Sequence, residues 1–380
     1  MKIVFVSIAL NIHQIGVADE LYKLTNGNYW FVETGDVNND NSKGGRKNDF
    51  SNRPYLIRLD EEEGTLQKAL KLIREADVMI YAAAPLIFLK ERIRTKKITF
   101  INSERWLKRG FVNLLSPRLL KQQWYYHSCC RNKPFYALCS SAYAARDFRL
   151  MQSFKEKCYK WGYFTLIPDI DVEEVQRAKR KTSTIKILWV ARFLQWKHPE
   201  QMIQLASLLY REKNEFVINM IGTGPEYDKI KTLIQNKGLE GCVHLLGNMP
   251  NSEVLEIMRS HHIFCFTSDR NEGWGAVLNE AMSSGCCPVS SIETGATPYL
   301  IKEGINGLSF DLKKKNDLFD KVLWLIKHPE EREKMSIEAY KTIHDMWSPQ
   351  NAAKCLYHLC GAMLEGKEYD IADGPCSKAE

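Results

Sequence analysis

Short apolar runs alternate with amphipathic stretches along most of this chain. In the first half, Ile3 to Ile8, Tyr29 to Glu33, Tyr55 to Arg58, Asp77 to Ala82, Lys97 to Asn102 and Phe135 to Cys139 read as strands. Between them the apolar spacing turns helical, as in Ile15, Ala18, Leu21 and Tyr22, and in Leu66, Ala69, Leu70 and Ile73. The second half repeats the rhythm with Ile185 to Ala191, Phe216 to Ile221, Val243 to Gly247, Ile263 to Phe266 and Cys287 to Ser290. Leu318 to Ile326 and Glu331 to Ile343 are amphipathic helices, and Pro349 suits the first turn of a final helix through Leu364. Strands that are apolar throughout and separated by helices predict an α/β fold with parallel sheets covered on both faces. Two stretches break the rhythm. Gly35 to Pro54 is rich in Gly, Asn and Asp and reads as a long surface loop, and Asp169 to Thr184 reads as a polar connector where the domain boundary belongs.

Composition adds bounds. At 380 residues, 44% hydrophobic and 26% charged, the chain has the make-up of a globular protein of two domains or a little more. Lys and Arg exceed Asp and Glu by 53 to 46, a net charge of +7 that suits anionic partners without identifying them. No apolar run approaches the ~20 residues that cross a bilayer. The opening MKIVFVSIALNIHQIG turns polar at Asn11 and reads as a first strand, not a secretory leader. The 11 cysteines are therefore expected in a reducing compartment, without a disulfide framework. Adjacent pairs such as Cys129-Cys130 and Cys286-Cys287 are poor metal-ligand sets and read as small buried apolar residues.

The most informative stretch runs from Ile263 to Ser290 and reads as strand, glycine-bearing loop, helix and strand. It puts Glu272 at the carboxyl end of a parallel strand and close to a helix N-terminus, where open α/β sheets hold ligands and free N–H groups meet anions. Gly273 and Gly275 leave room for a ligand against the backbone. The run Glu272-Gly273-Trp274-Gly275-Ala276-Val277-Leu278-Asn279-Glu280-Ala281, followed by Gly285 and Pro288-Val289, resembles the signature of the retaining glycosyltransferases of family 4. The resemblance implies a GT-B fold of two facing Rossmann-like domains, with a nucleoside-diphosphate sugar (UDP- or GDP-linked) bound mainly by the second. It further implies that Glu272 binds the donor sugar, that Glu280 holds the ribose hydroxyls, and that Gly273, Trp274, Gly275, Ala276 and Val277 lie along the donor. On this basis the chain divides into an acceptor-side domain at 1–170, a linker at 171–184 and a donor domain at 185–347. A crossover helix at 348–366 packs on the first domain, and a flexible tail occupies 367–380.

Other positions join this frame. Arg192 and Lys197 lie in one loop after a strand and match the family's Arg-x4-Lys pattern, so they are expected to clamp the diphosphate. Gly222 and Gly247 end strands that would flank the nucleotide, and Gly16 stands where the family carries a glycine close to the donor phosphates. His13, in the loop after the first strand, reads equally as a phosphate or acceptor contact and as a surface residue. Glu104, within Ser103-Glu104-Arg105, resembles a feature of polysaccharide-building relatives and is expected to touch the acceptor or simply to complement a helix dipole.

The segment Lys90 to Lys133 holds twelve Lys or Arg against Glu91 and Glu104, interleaved with Phe100, Trp106, Phe111, Trp124, Tyr125 and Tyr126. That surface suits an anionic membrane, RNA, or a solvated helical face over core aromatics. With the resemblance, the membrane is preferred and no nucleic acid is expected.

The combined expectation is a cytoplasmic or peripheral inner-face enzyme of polysaccharide, capsule or lipopolysaccharide biosynthesis. It would move a hexose-type sugar, with retention, onto a carbohydrate or lipid-linked glycan, without a metal or other cofactor. A nucleotide-sugar epimerase or phosphorylase of the same architecture, and a non-catalytic RNA- or membrane-binding protein, remain the alternatives.

Overall fold

The computed structural model describes residues 1–35, 50, 52–59 and 64–380, so most of the expected loop from Gly35 to Pro54 lies outside the described residues. The chain forms two units. The first comprises residues 1–166 and 346–380, and the second residues 167–345.

In the first unit, β1 (Ile3–Ser7), β2 (Tyr29–Glu33), β3 (Leu56–Arg58), β4 (Val78–Tyr81), β5 (Ile98–Ser103), β6 (Phe135–Cys139) and β7 (Cys158–Lys160) form one sheet. Their order is β3-β2-β1-β4-β5-β6-β7 and every neighbouring pair is parallel. In the second unit, β8 (Ile185–Val190), β9 (Phe216–Ile221), β10 (Val243–Gly247), β11 (Ile263–Phe266), β12 (Cys287–Ser291) and β13 (Leu308–Phe310) form an all-parallel sheet in the order β10-β9-β8-β11-β12-β13. Both sheets are Rossmann-like, the pair of parallel-sheet units that defines the GT-B class. In each, the strand order reverses between the first strand and the fourth, β1 beside β4 and β8 beside β11. Connections on the two sides of such a switch point leave in opposite directions, which opens a crevice at the carboxyl ends of those strands.

Helices α1 (Ile15–Leu24), α2 (Thr65–Glu75), α3 (Leu86–Ile93), α4 (Pro117–Trp124) and α5 (Ala144–Leu150) belong to the first unit. Helices α6 (Val172–Arg180), α7 (Glu200–Arg211), α8 (Tyr227–Asn236), α9 (Asn251–Ser260) and α10 (Ala276–Ser283) belong to the second. The final helix, Pro349–Leu364, returns to the first unit and packs against α1. Ser348 caps it by accepting a hydrogen bond from the Asn351 amide at 3.2 Å.

The sequence reading needs three corrections. The polar connector contains α6, which belongs to the second unit. Asp171 caps it by accepting from the amides of Glu173 at 2.9 Å and Glu174 at 3.1 Å. Its inner face carries Gln176 and Lys179, both buried and both donating to the Gly285 carbonyl, at 2.7 and 2.6 Å. A helix whose inner face relies on hydrogen bonds beside a single buried valine, Val172, has too few apolar residues to stand out in a polar stretch.

The tail expected to be flexible is instead tied to β7. The Lys160 amide donates to Ser377 O at 2.8 Å, Cys376 donates to Lys160 O at 2.8 Å, and Ala379 donates to Cys158 O at 3.0 Å. An edge strand offers unpaired backbone groups, and the tail satisfies them. Within Lys90 to Lys133, finally, Phe100, Trp106 and Tyr126 are core residues of the first unit and not surface aromatics. The adjacent pair Cys286 and Cys287 is fully buried, and burial pushes the thiols up to about 11 and about 12.

Candidate functional site

At the switch point of the second unit, the loop after β8 and the loop after β11 are sewn together residue by residue. The Trp189 indole donates to Thr267 Oγ1 at 2.8 Å, and Thr267 Oγ1 donates to the Lys197 carbonyl at 2.6 Å. The Asp269 amide donates to Trp196 O at 3.0 Å, and the Glu272 amide to Asp269 O at 3.0 Å. This framework brings Lys197 and Glu272 together. Their side chains form an ion pair, mostly withdrawn from solvent. The Lys197 ammonium also lies 4.3 Å from the Trp196 ring centroid and 5.8 Å from that of Phe266. Arg192, the other half of the expected clamp, is exposed on the same loop, and among the described residues no carboxylate is paired with it.

The glycines around this crevice have concrete reasons to be glycine. Gly275 has φ +99° and precedes α10; a Cβ there would stand 2.3 Å from Phe266 Cζ and 3.3 Å from Glu272 Cγ. Gly222 has φ +129°, and a Cβ would stand 2.0 Å from the Ala191 carbonyl oxygen. The Gly222 amide donates to Gly247 O at 2.7 Å, while Phe193 and Thr223 join the two loops at 2.9 Å. Gly247 has φ +72° with nothing near its missing Cβ.

Ala276 and Val277 open α10 half-exposed, with no side-chain cap and no acidic residue in the first turn. A helix start in this state presents free N–H groups and the positive end of its dipole. Glu280 lies further along the helix and is 5% exposed.

Two residues expected at the donor have structural roles of their own. Trp274, placed along the donor by resemblance, is 0% exposed. Its indole donates to Asn279 Oδ1 at 2.9 Å, and its carbonyl accepts from the Ala296 amide at 3.2 Å. It anchors the loop from beneath, because so large an apolar ring is stabilised by burial and its one N–H has a partner inside. Gly16 lies in the first turn of α1, where a Cβ would stand 2.8 Å from Pro349 Cβ. Close packing of α1 against the final helix is thus a sufficient reason for that glycine.

The sequence reading passed over His198. It sits at φ +50°, its Nδ1 is 2.9 Å from Glu200 Oε1, and its Nε2 is 3.4 Å from Asp269 Oδ2. The hydrogen bond to Asp269, then that to Glu200, raise its pKa to about 9 against the opposing effect of burial. The loop therefore carries a third cation at neutral pH. A raised folded pKa means that the stabilisation is complete below the unfolded value of about 6.5 and fades as pH climbs through about 9. His198→Asn tolerates the left-handed backbone but lacks the charge. Its urea midpoint should fall furthest below wild type near about pH 6, and the gap should close near about pH 10. A gap of equal size at both values would show that the ring acts by packing alone.

In the first unit, a cavity of about 930 Å³ opens at the carboxyl ends of β1, β4, β5 and β6, again at the switch point. His13, Asn102, Glu104, Arg105, Ser140 and Tyr163 are among its lining residues. The His13 and Tyr163 rings stack at 5.6 Å, Tyr163 Oη donates to Glu104 Oε1 at 2.5 Å, and Lys108 Nζ meets Glu104 Oε2 at 2.7 Å. His13 and Glu104 thus belong to one polar wall. The buried Asp147 fixes the turn beside it, accepting from the amides of Trp106 at 2.9 Å and Leu107 at 2.8 Å. Tyr163 was illegible in sequence because it follows β7, which hydropathy did not show.

Known proteins resemble this chain in part. An uncharacterized glycosyltransferase of Methanocaldococcus jannaschii is 33% identical over 118 residues, 31% of this chain and 33% of that one. The N-acetyl-alpha-D-glucosaminyl L-malate synthase of Bacillus anthracis is 24% identical over 178 residues, 47% of this chain and 45% of that one. The chain thus spans less than half the length of each of these curated relatives. Among solved structures, Anabaena HepE in complex with UDP superposes with a TM-score of 0.69 at 13% identity, over 95% of this chain and 100% of that one. At that identity the likeness shows the fold. Residues 171–342, nearly the whole second unit and the whole of its crevice, match the family model for glycosyl transferases group 1.

Proposed function

We propose that the protein is a retaining, metal-independent glycosyltransferase of the family 4 type. It moves a hexose-type sugar from a UDP- or GDP-linked donor to a carbohydrate acceptor carried on a lipid-linked glycan or polysaccharide precursor. The observation that carries this reading is the convergence, at one switch point, of Arg192, the Lys197–Glu272 pair and the uncapped start of α10. Relatives and neighbours support it: HepE is solved with UDP, and the Bacillus anthracis relative is named an N-acetyl-alpha-D-glucosaminyl L-malate synthase.

In the reaction, the acceptor hydroxyl attacks the anomeric carbon on the face that the diphosphate leaves. The carbon–oxygen bond to phosphate breaks as the new glycosidic bond forms. The hydroxyl proton passes to a departing phosphate oxygen. Arg192, Lys197 and the α10 amides offset the charge growing on that diphosphate. By drawing Lys197 away, the arriving diphosphate frees Glu272 to accept hydrogen bonds from the donor sugar. Glu280 holds the ribose hydroxyls. The first-unit cavity, with Glu104 and His13 on its wall, takes the acceptor sugar. The enzyme works in the cytoplasm, peripherally on the inner face of the cell membrane.

A panel of labelled nucleotide sugars, first ranked by thermal shift, tests the reading. Transfer to an acceptor should disappear in Glu272→Ala and persist in excess chelator. Strict metal dependence would overturn the mechanism. Conversion of the donor without any acceptor would make the protein an epimerase.

A further inference from the structure

Among the described residues, the densest run of exposed large apolar side chains lies on one short stretch of the first unit. Phe111 is 71% exposed, Val112 67%, Leu115 78%, Leu120 53% and Trp124 56%. They come from the short 3-10 helix Gly110–Leu115 and from α4. Isolated exposed apolar residues are ordinary, whereas five of this size on two consecutive short helices call for a partner. Arg109, Arg118 and Lys121 are interleaved with them and exposed, and no Asp or Glu occurs between Arg109 and Trp124. The segment has a second side. Asn113, Arg118, Leu119, Gln122 and Tyr126 line the first-unit cavity, and Asn113 Nδ2 is fixed to the Trp106 carbonyl at 2.7 Å.

We propose that residues 109–124 dock on an anionic bilayer through Phe111, Val112, Leu115, Leu120 and Trp124, with Arg109 and Lys121 at the headgroups. The opposite face of the segment forms the cavity wall. Apolar side chains rimmed by cations, without a single carboxylate, match the order of an acyl boundary beneath negative headgroups. Trp124 has the amphipathic ring that settles at that boundary. A protein partner of matching acidity would meet the cations but does not require five exposed apolar side chains among them. Docking places the cavity beside the bilayer, so its ligand is drawn from membrane lipids that carry a sugar. That last step rests on the proposed function, while the docking itself does not.

Flotation with vesicles containing phosphatidylglycerol, and with pure phosphatidylcholine vesicles, reads the docking without any turnover. Wild type should float with the anionic vesicles at low salt and be released only in part by high salt, because ions screen charges and not apolar burial. Arg109→Gln with Lys121→Gln should lose most of the low-salt capture. Phe111→Ser with Leu115→Ser should lose the salt-resistant part, and these exposed positions leave the core untouched. As a second readout, brominated lipid should quench wild-type fluorescence more than that of Trp124→Phe. A wild type that stays unbound at low salt would overturn the proposal. So would selective retention by single-stranded RNA, or a dimer that Phe111→Ser with Leu115→Ser dissolves. Docking without nucleotide-sugar binding would leave this inference standing and remove the proposed function.

Discussion

Arg192→Ala and Lys197→Ala should each lower turnover on a nucleotide-sugar donor by about one hundredfold or more, the usual consequence of removing one preorganised contact to developing charge. The two variants should part company in stability. Arg192 is exposed, with no carboxylate paired to it among the described residues, so its loss should leave the melting temperature near wild type. Lys197 neutralises Glu272 in a pair mostly withdrawn from water, and its removal strands a carboxylate. Breaking such a pair costs about 3–5 kcal/mol when fully buried, and part of that is expected here. Arg192→Lys should rescue poorly, because one point charge does not reproduce a planar five-donor fork. Steady-state rates and thermal melts of the three variants suffice, and normal rates in both alanine variants would remove the clamp.

The sheets were legible because burial on both faces leaves a dense apolar mark. Ile263 to Phe266 and Phe135 to Cys139 could be read residue by residue. The strand Ile263 to Phe266 also located the crevice, since open parallel sheets hold ligands at their carboxyl ends, whereas the strand order that makes it a switch point came only with the fold. What escaped was structure held by polar groups. Helix α6 buries Gln176 and Lys179 against a carbonyl, and apart from Val172 and Val175 its sequence marks are Asp171 at the cap and charges that complement the dipole. His198 and Asp269 are 71 residues apart in sequence and meet only through the stitching of two loops.

The same limit explains Trp274 and Gly16. The resemblance places both along a ligand, and the fold in addition gives each a neighbour inside the protein, Asn279 for the indole and Pro349 for the glycine. The basic aromatic segment shows the opposite case. Its composition suggested a surface, and burial then removed Phe100, Trp106 and Tyr126 and left Phe111 and Trp124 among exposed aliphatics.

The glycines of the crevice should differ sharply when each is changed to alanine. At Gly222 the added Cβ would stand 2.0 Å from a backbone oxygen, Ala191 O, at φ +129°. A backbone atom yields only if its loop moves, and this loop leads into Arg192. Strain of about 1–3 kcal/mol and overpacking of about 1–3 kcal/mol both apply, giving roughly 2–6 kcal/mol. At Gly275 the obstacle is the ring of Phe266, with Cζ at 2.3 Å and φ +99°. That ring is buried, so it too has little freedom, and the cost should approach that at Gly222. Displacement there would also push on Glu272, whose Cγ is 3.3 Å from the new atom. Gly247 shares the positive φ, at +72°, but meets nothing within 4 Å. Only the left-handed strain of about 1–2 kcal/mol remains there. Against a typical total stability of about 5–15 kcal/mol, Gly222→Ala and Gly275→Ala should leave the protein marginal, while Gly247→Ala should fold normally. Urea unfolding gives the order directly. Equal losses at Gly247 and Gly222 would mean that backbone strain alone decides these positions, and that the close approach of the Ala191 carbonyl contributes nothing.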